Sequence, residues 1–243
     1  MKIQEIQRVK GDSEEWRGTG RVDKDVTPTP DNPEYGFREV GYSERDRVNL
    51  TGTDKRYDFY HRDQEGYRYI AYIGLRKYRL PGFKNTWQIS NTVLDSDYRG
   101  RGVGVLMYKT LLQQGISIVA DTTQTPQAIG LWARLSETPG VLVRGKIELM
   151  RGVFDFEFAN KWNEAEIKGN QQKLKKLGAQ PLVDYSRAQF NDHVPFVFPV
   201  KTKEIQRKDR IARELYASGV KIYHQQSIDD VDDFVTLVAT WIG

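Results

Sequence analysis

Residues 87–114 read WQISNTVLDSDYRGRGVGVLMYKTLLQQ, and the rest of the chain is organised around this stretch. Trp87 to Leu94 is rich in β-branched and aromatic types and carries no breaker, which predicts a strand; Val103, Leu106, Met107, Thr110 and Leu111 recur at helical spacing, which predicts a helix. Between them lies Arg99-Gly100-Arg101-Gly102-Val103-Gly104. A backbone with so few Cβ atoms can bend until successive N–H groups point inward, and the helix that follows adds the partial positive charge of its N-terminus. Such a turn suits a diphosphate, with Arg99 and Arg101 as flanking charge. The plainer alternative is a tight strand-to-helix connection.

The turn belongs to neither of the common nucleotide loops. A P-loop needs Lys-Ser or Lys-Thr after its last glycine, and Gly104 is followed by Val105-Leu106. Dinucleotide and kinase loops need GxGxxG, whose glycines fall at other intervals. Downstream, Gly140-Val141-Leu142-Val143-Arg144-Gly145-Lys146 matches a P-loop as far as its lysine. Ile147 then stands where the magnesium-binding hydroxyl is required, and the flanks read as strand.

The pattern that does fit is Q/R-x-x-G-x-G/A, met by Arg99, Gly102 and Gly104. Residues 93–112 thereby resemble motif A of the GNAT superfamily of N-acetyltransferases, enzymes that move acetyl groups from acetyl-coenzyme A to amines. In register behind it, Ser117 to Thr123 resembles the family's next strand and Gln127 to Trp132 its next helix. The likeness covers roughly Tyr57 to Val143, and its style is similar to acetyltransferase-like proteins of bacteriophages. It implies an α/β (α+β) fold: a mixed, mostly antiparallel twisted sheet flanked by helices, here with an irregular N-terminal arm (1–50), an acyl-CoA-binding domain (51–200) and a C-terminal helical extension (201–243).

The resemblance also assigns residues. Acetyl-CoA would be bound by backbone N–H groups at Val93, Leu94 and Asp95, by the turn Arg99, Gly100, Arg101, Gly102, Val103, Gly104 and Val105, and by Gln127 and Trp132 on the following helix. An amine is mostly protonated at neutral pH, so a base or a water chain must take its proton. Asp95 and Asp121, at predicted strand ends, are the candidate bases, with a turn or cap role as the alternative. The family's usual acid, a tyrosine, falls at Trp132, and an indole N–H cannot protonate a thiolate. Either water protonates it, or Tyr98 or Tyr108 substitutes, or acetyl transfer is not the reaction.

Working outward, Tyr57 to His61 and Tyr67 to Ile73 flank Asp63-Gln64-Glu65-Gly66 and predict an aromatic hairpin. Thr125 is placed to cap a helix that Pro126 begins. Val141 to Met150 and Val153 to Phe158 predict a second hairpin, residues 160–177 a charged helix, and Val194 to Val200 a strand at an edge. Two helices are expected last, the second capped by Ser227 with Ile228, Val231, Phe234, Val235, Val238, Trp241 and Ile242 as its apolar stripe. Residues 1–50, dense in Gly, Pro, Asp and Thr, read as loop or arm.

Composition bounds the partners. The chain has 243 residues, 37 Lys or Arg against 33 Asp or Glu, and no cysteine. Disulfides, thiolate metal sites and a cysteine nucleophile are excluded, and a reducing cytoplasm is the expected setting, that of the host cell if a phage encodes it. No apolar run approaches the roughly 18 residues of a membrane span. His61, His193 and His224 show no metal spacing, so no metal is expected. A net charge of +4 would attract CoA phosphates but falls short of a nucleic-acid-binding composition. The expected acceptor is an amine of a protein or small molecule. Two rivals stand beside it: a DNA-base-modifying enzyme of the same fold, favoured by the basic residues 201–213 and the Tyr/Arg hairpin, and a non-catalytic CoA-fold binding protein.

Overall fold

The computed structural model describes residues 25–40, 54–121, 124–150, 169, 172–176, 178–182, 193–205, 214, 217 and 235–243. The chain forms two compact units, Met1–Lys77 with Ile89–Thr110 and Tyr78–Gln88 with Leu111–Gly243. Strand β5 (Thr86–Leu94) gives its first three residues to the second unit and the rest to the first.

In the first unit the strands lie in the order β1 (Thr27–Pro28), β2 (Tyr35–Val40), β3 (Lys55–Asp63), β4 (Gly66–Lys77), then β5. β2 and β3 pair antiparallel from Tyr35 opposite His61 to Val40 opposite Arg56, and β3 and β4 form the expected aromatic hairpin. Alternation puts Tyr57 and Phe59 with Ala71 and Ile73 into the core, where all four are buried. The ladder slips once, between Phe59 and Tyr60. That slip breaks the alternation, so Tyr69 and Tyr72 both reach Arg56: the guanidinium lies 4.3 Å from the Tyr72 ring and its Nη2 donates to the Tyr69 hydroxyl at 2.9 Å.

The irregular arm expected over residues 1–50 needs correction where it is described. Thr27–Pro28 and Tyr35–Val40 are strands of the sheet. The Pro- and Asp-rich residues between them make the turn: the Thr29 hydroxyl donates to Asn32 O at 2.6 Å and Asn32 Oδ1 accepts the Glu34 N–H at 3.0 Å. Residues 1–24 and 41–50 lie outside the described residues.

After β5, a single 3-10 turn (Ser96–Tyr98) and an open loop lead into helix α1 (Val103–Gln113). Val103, Met107 and Thr110 are buried on its inner face, as the spacing predicts.

In the second unit the order is β5, β6 (Ser117–Val119), β10 (Thr236–Trp241), β7 (Val141–Met150), β9 (His193–Pro199), β8 (Gln180–Pro181). β5 and β6 pair in parallel for three residues only, Thr86 opposite Ser117 to Gln88 opposite Val119; the other described pairings are antiparallel. This is the mixed, mostly antiparallel sheet that was expected. Helix α2 (Pro126–Ser136) begins as expected: Thr125 Oγ1 accepts the Ala128 N–H at 3.2 Å, and Pro126 takes the first turn.

The C-terminal expectation is overturned. Thr236–Trp241, read as the end of an amphipathic helix, is strand β10, inserted between β6 and β7 with Val238 opposite both Val119 and Arg144. Thr236 to Ala239 are all buried, in a strand paired along both of its edges. Val153–Phe158 and Ser227 lie outside the described residues, as do most of 160–177 and 206–213; of those helices only 172–176 and Thr202–Ile205 are seen as such, with the isolated positions 169, 214 and 217.

Candidate active site

β5 delivers the site. Its last residues, Val93 and Leu94, are half-buried, and Asp95 turns the chain by donating its N–H to Ile70 O at 2.9 Å. The Asp95 carboxylate then accepts the Asp97 N–H at 3.0 Å, capping the 3-10 turn. Arg68 Nη2 stands 3.9 Å from its second oxygen. The cap role considered for Asp95 is thus realised, and one carboxylate oxygen is committed to it.

Arg99 closes the turn in an extended conformation, its N–H donating to Ser96 O at 3.2 Å and its Nε to Leu94 O at 3.2 Å. Gly100 and Gly102 follow at φ +75° and +81°, in the left-handed region that disfavours residues with a Cβ. Arg101 between them is exposed. A Cβ built on Gly100 or Gly102 would meet no atom within 4 Å, so these glycines are required by backbone conformation and face open space.

The helix N-terminus behind them is available. Leu106 N–H reaches back to Gly102 O at 3.1 Å as the first step of the α1 ladder, which leaves the amides of Val103, Gly104 and Val105 without an intrahelical acceptor. Val103 is buried, and Gly104 and Val105 are half-buried. Three orphan N–H groups, a helix dipole and two exposed arginines therefore converge on one open turn.

Tyr108, one helical turn further on, is buried, and its hydroxyl and that of Thr92 on β5 lie 2.9 Å apart. Burial pushes the Tyr108 phenol up to about 12, although the Thr92 hydrogen bond lowers it. Tyr98 is half-buried, and its hydroxyl stands 3.3 Å from His61 Nδ1. The His61 ring packs between Tyr98 and Tyr35, with centroids 5.5 Å and 5.0 Å away. Burial raises the Tyr98 phenol too, with Arg68 opposing.

The structure thus brings Val93 to Val105 and Tyr108 together in the first unit. Asp121, Gln127 and Trp132 belong to the second. Asp121 is half-buried two residues past β6, Gln127 is exposed in the first turn of α2, and Trp132 is 2% exposed on its inner face, which makes it a core contact. Sequence reasoning passed over Thr92, His61, Arg68 and Gln124. Gln124, just before the α2 cap, has both side-chain amide atoms buried without a hydrogen-bond partner. Thr92 was within reach of the sequence, since alternation puts it on the strand face opposite Val93 and hence with the helix residues. Among the described residues no group of three or more His, Cys, Asp or Glu is placed to hold a metal, and no helix is long and apolar enough to cross a membrane.

Comparison with known proteins bears on this arrangement. Residues 25–136 match the model of the acetyltransferase (GNAT) family. No curated protein matches the sequence. Among solved structures, the chain is similar to an IAA acetyltransferase from Bacillus cereus ATCC 14579, with 11% identity over 68% of this chain and 99% of that one, at a TM-score of 0.31. It is likewise similar to the ribosomal-protein-S18-alanine N-acetyltransferase from Escherichia coli, with 11% identity over 66% and 78% and a TM-score of 0.30. A diaminobutyrate acetyltransferase from Paenibacillus lautus, in complex with L-2,4-diaminobutyric acid and coenzyme A, shows 14% identity over 59% and 69% at 0.24. Scores of this size carry no weight for function, which leaves the family match and the geometry of the turn. Over residues 25–136, a little under half of its length, the chain is similar to the N-acetyltransferases of the GNAT family.

Proposed function

We propose that the chain transfers the acetyl group of acetyl-CoA to an amine of a protein or small molecule, and that the turn from Arg99 to Val105 holds the diphosphate of that donor. One observation carries the reading: two glycines in the left-handed region, with open space where a Cβ would stand, ahead of three helix N-terminal amides. The cradle fits a diphosphate, because its donors are backbone N–H groups fixed by the fold and its rim is cationic.

When bound, acetyl-CoA supplies an activated thioester. The work left to the chain is positioning and proton transfer. Backbone N–H groups at Val93 and Leu94 are the proposed donors to the thioester oxygen, in the manner of an oxyanion hole, since that of Asp95 is donated to Ile70 O. Asp95 keeps a second carboxylate oxygen outside its cap, 3.9 Å from Arg68 Nη2, and is the base proposed to take the amine proton. Tyr108 holds its proton too tightly for an acid: transfer from a phenol near 12 to a thiolate of ordinary affinity, about 8.5, runs uphill. We read Tyr108 as a strut and water as the source of that proton.

The amine reading is preferred to a nucleic-acid one on the hairpin itself. Two of its arginines are turned onto its own tyrosines, Arg56 over Tyr72 and Arg62 over Tyr67, and Arg38 of β2 lies over its Tyr60, which uses these planar cations internally. Thiol release from acetyl-CoA across a panel of amines tests the proposal. Release with an amine, reduced at least tenfold in Asp95→Asn, which keeps a capping oxygen, supports it; no release with any amine, together with salt-dependent DNA binding, replaces it with the rival.

A further inference from the structure

We propose that the acceptor is an acidic amine, one whose amino group lies a few bonds from a carboxylate, and that Arg56 with Arg38 holds that carboxylate on the face of the sheet beside Val93. This rests on the reading of the site given above and adds to it a substrate class.

One face of β5 is already taken. The Thr92 hydroxyl is bonded to Tyr108 of α1, so the helix lies on that face and an acceptor has to approach from the other, to which alternation turns Asn91 and Val93. What stands there follows from the ladder. Tyr78 donates its N–H to Thr86 O and Asp95 to Ile70 O, so β4 and β5 run antiparallel. Two and four residues back from Asp95, that register sets Val93 beside Tyr72 and Asn91 beside Gly74. The side chains fit it: Asn91 Nδ2 donates to the Tyr72 hydroxyl at 3.3 Å, and a Cβ on Gly74 would lie 1.9 Å from Asn91 Oδ1, in room the carboxamide fills. The pairing of β4 with β3 and of β3 with β2 continues both rows, as Val93, Tyr72, Asp58, Arg38 and as Asn91, Gly74, Arg56, Val40.

The ionisable side chains of these two rows are Arg38, Arg56, Asp58 and Tyr72. Burial raises the Tyr72 phenol, which keeps it neutral, and raises the Asp58 carboxyl against the pull of Arg56. Two guanidiniums therefore stand against one carboxylate. Arg56 is held in place, with Nε donating to Asp58 Oδ1 at 2.5 Å, Nη2 donating to the Tyr69 hydroxyl at 2.9 Å, and its Cζ 4.3 Å from the centre of the Tyr72 ring. Stacking on tyrosine occupies the faces of a guanidinium, the surface a nucleobase would take, and leaves its charge. Because Tyr72 is the neighbour of Val93, that charge stands over the strand next to the proposed thioester site, roughly 5 Å across the sheet. An amine with a carboxylate a few bonds away spans such a gap. Arg38 lies further out on the same row, opposite Asp58. Arg38, Tyr72, Asn91 and Val93 are half-buried, so the row reaches solvent. A cationic acceptor would meet the excess positive charge there, whereas an acidic one answers it.

Matched pairs of acceptors read the inference: glycine, β-alanine and 4-aminobutyrate, each against its carboxamide, with acetyl-CoA in excess. Glycinamide has the less basic amine and so more of the reactive free base at neutral pH, which means that a preference for glycine has to come from binding. In wild type kcat/KM is expected to be about tenfold higher for the acid in at least one pair, the order of one charge-assisted hydrogen bond. The double variant Arg56→Gln/Asp58→Asn removes the cation without stranding the buried carboxylate, and the ratio is expected to fall to about one through the KM of the acid. Arg38→Gln leaves the Arg56–Asp58 pair intact, guards against a folding defect, and is expected to lower the ratio about threefold. Thiol release across a wider amine panel with no acid preferred to its amide, or a preference that survives in every variant that folds, overturns the inference alone. No release with any amine overturns the reading of the site and this inference with it.

Discussion

The hydroxyls of Thr92 and Tyr108 stand 2.9 Å apart, tying the end of β5 to the helix that follows the glycine turn. The bond is local to the site yet structural in character, since Tyr108 is buried and its phenol is held at about 12. Removing either hydroxyl leaves the other without that partner, so Tyr108→Phe and Thr92→Val should each cost about 1 kcal/mol. The double variant should cost less than their sum. Turnover with acetyl-CoA and a good amine should change less than about threefold in Tyr108→Phe; a fall near a hundredfold would restore the phenol as the acid.

Gly102 offers a cleaner test of the diphosphate cradle. Its φ of +81° costs a substituted residue about 1–2 kcal/mol. Because a Cβ there meets nothing within 4 Å, the loss stops at that strain and the fold survives. Gly102→Glu should therefore retain the circular dichroism of wild type while its carboxylate, at the mouth of the orphan amides, removes measurable CoA binding. Unchanged calorimetric affinity in that variant would place the diphosphate elsewhere.

What the sequence disclosed and what it hid divide along one line, the range of the interaction. Strand, turn and helix from Trp87 to Leu111 were legible because each depends on near neighbours: unbroken β-branched residues, glycines where φ is positive, and apolar residues at helical spacing. The cap at Thr125 was legible for the same reason. β10 was not. Its apolar residues from Val235 onward fit a helical stripe when read alone, and only pairing with β6 and β7, far away in sequence, makes Thr236–Trp241 a strand, with Thr236 to Ala239 buried on both faces. β1 was hidden by its length, two residues beside a turn rich in proline. In the site, the motif announced the turn, but the partners of Tyr98 and Asp95, His61 and Arg68, come from a hairpin some thirty residues earlier, through contacts no local pattern encodes.

Gln124 carries two buried polar atoms with no partner, immediately before the α2 cap. Each such atom forfeits its hydration for nothing in the ligand-free protein. Gln124→Met, of similar length and without polar ends, should raise the stability of the ligand-free protein by about 1 kcal/mol. The check is the urea midpoint at constant m-value. A lower midpoint would mean that the amide is satisfied in solution, most simply by water.

In the second unit Lys146 is 5% exposed, and its ammonium donates to the Tyr78 hydroxyl and to Glu148 Oε1, each at 2.5 Å. Burial alone would lower its proton affinity; the Glu148 charge and the Tyr78 oxygen outweigh burial and leave it above the ordinary lysine value. A folded-state affinity raised in this way contributes stability that is fully present below about pH 10.4 and is lost as pH climbs through the folded value. The pair is asymmetric, because the Glu148 side chain is 24% exposed and that of Lys146 only 6%. Glu148→Gln strands a buried cation and should cost about 3 kcal/mol at neutral pH, whereas Lys146→Met leaves a carboxylate that can turn to water and should cost less. Raising the pH to about 10.5 should shrink the Glu148→Gln penalty, since the stranded lysine can then shed its proton. Denaturant melts at the two pH values read all three expectations; a larger loss in Lys146→Met than in Glu148→Gln would show that the ammonium stabilises the unit by more than its pairing with this one carboxylate.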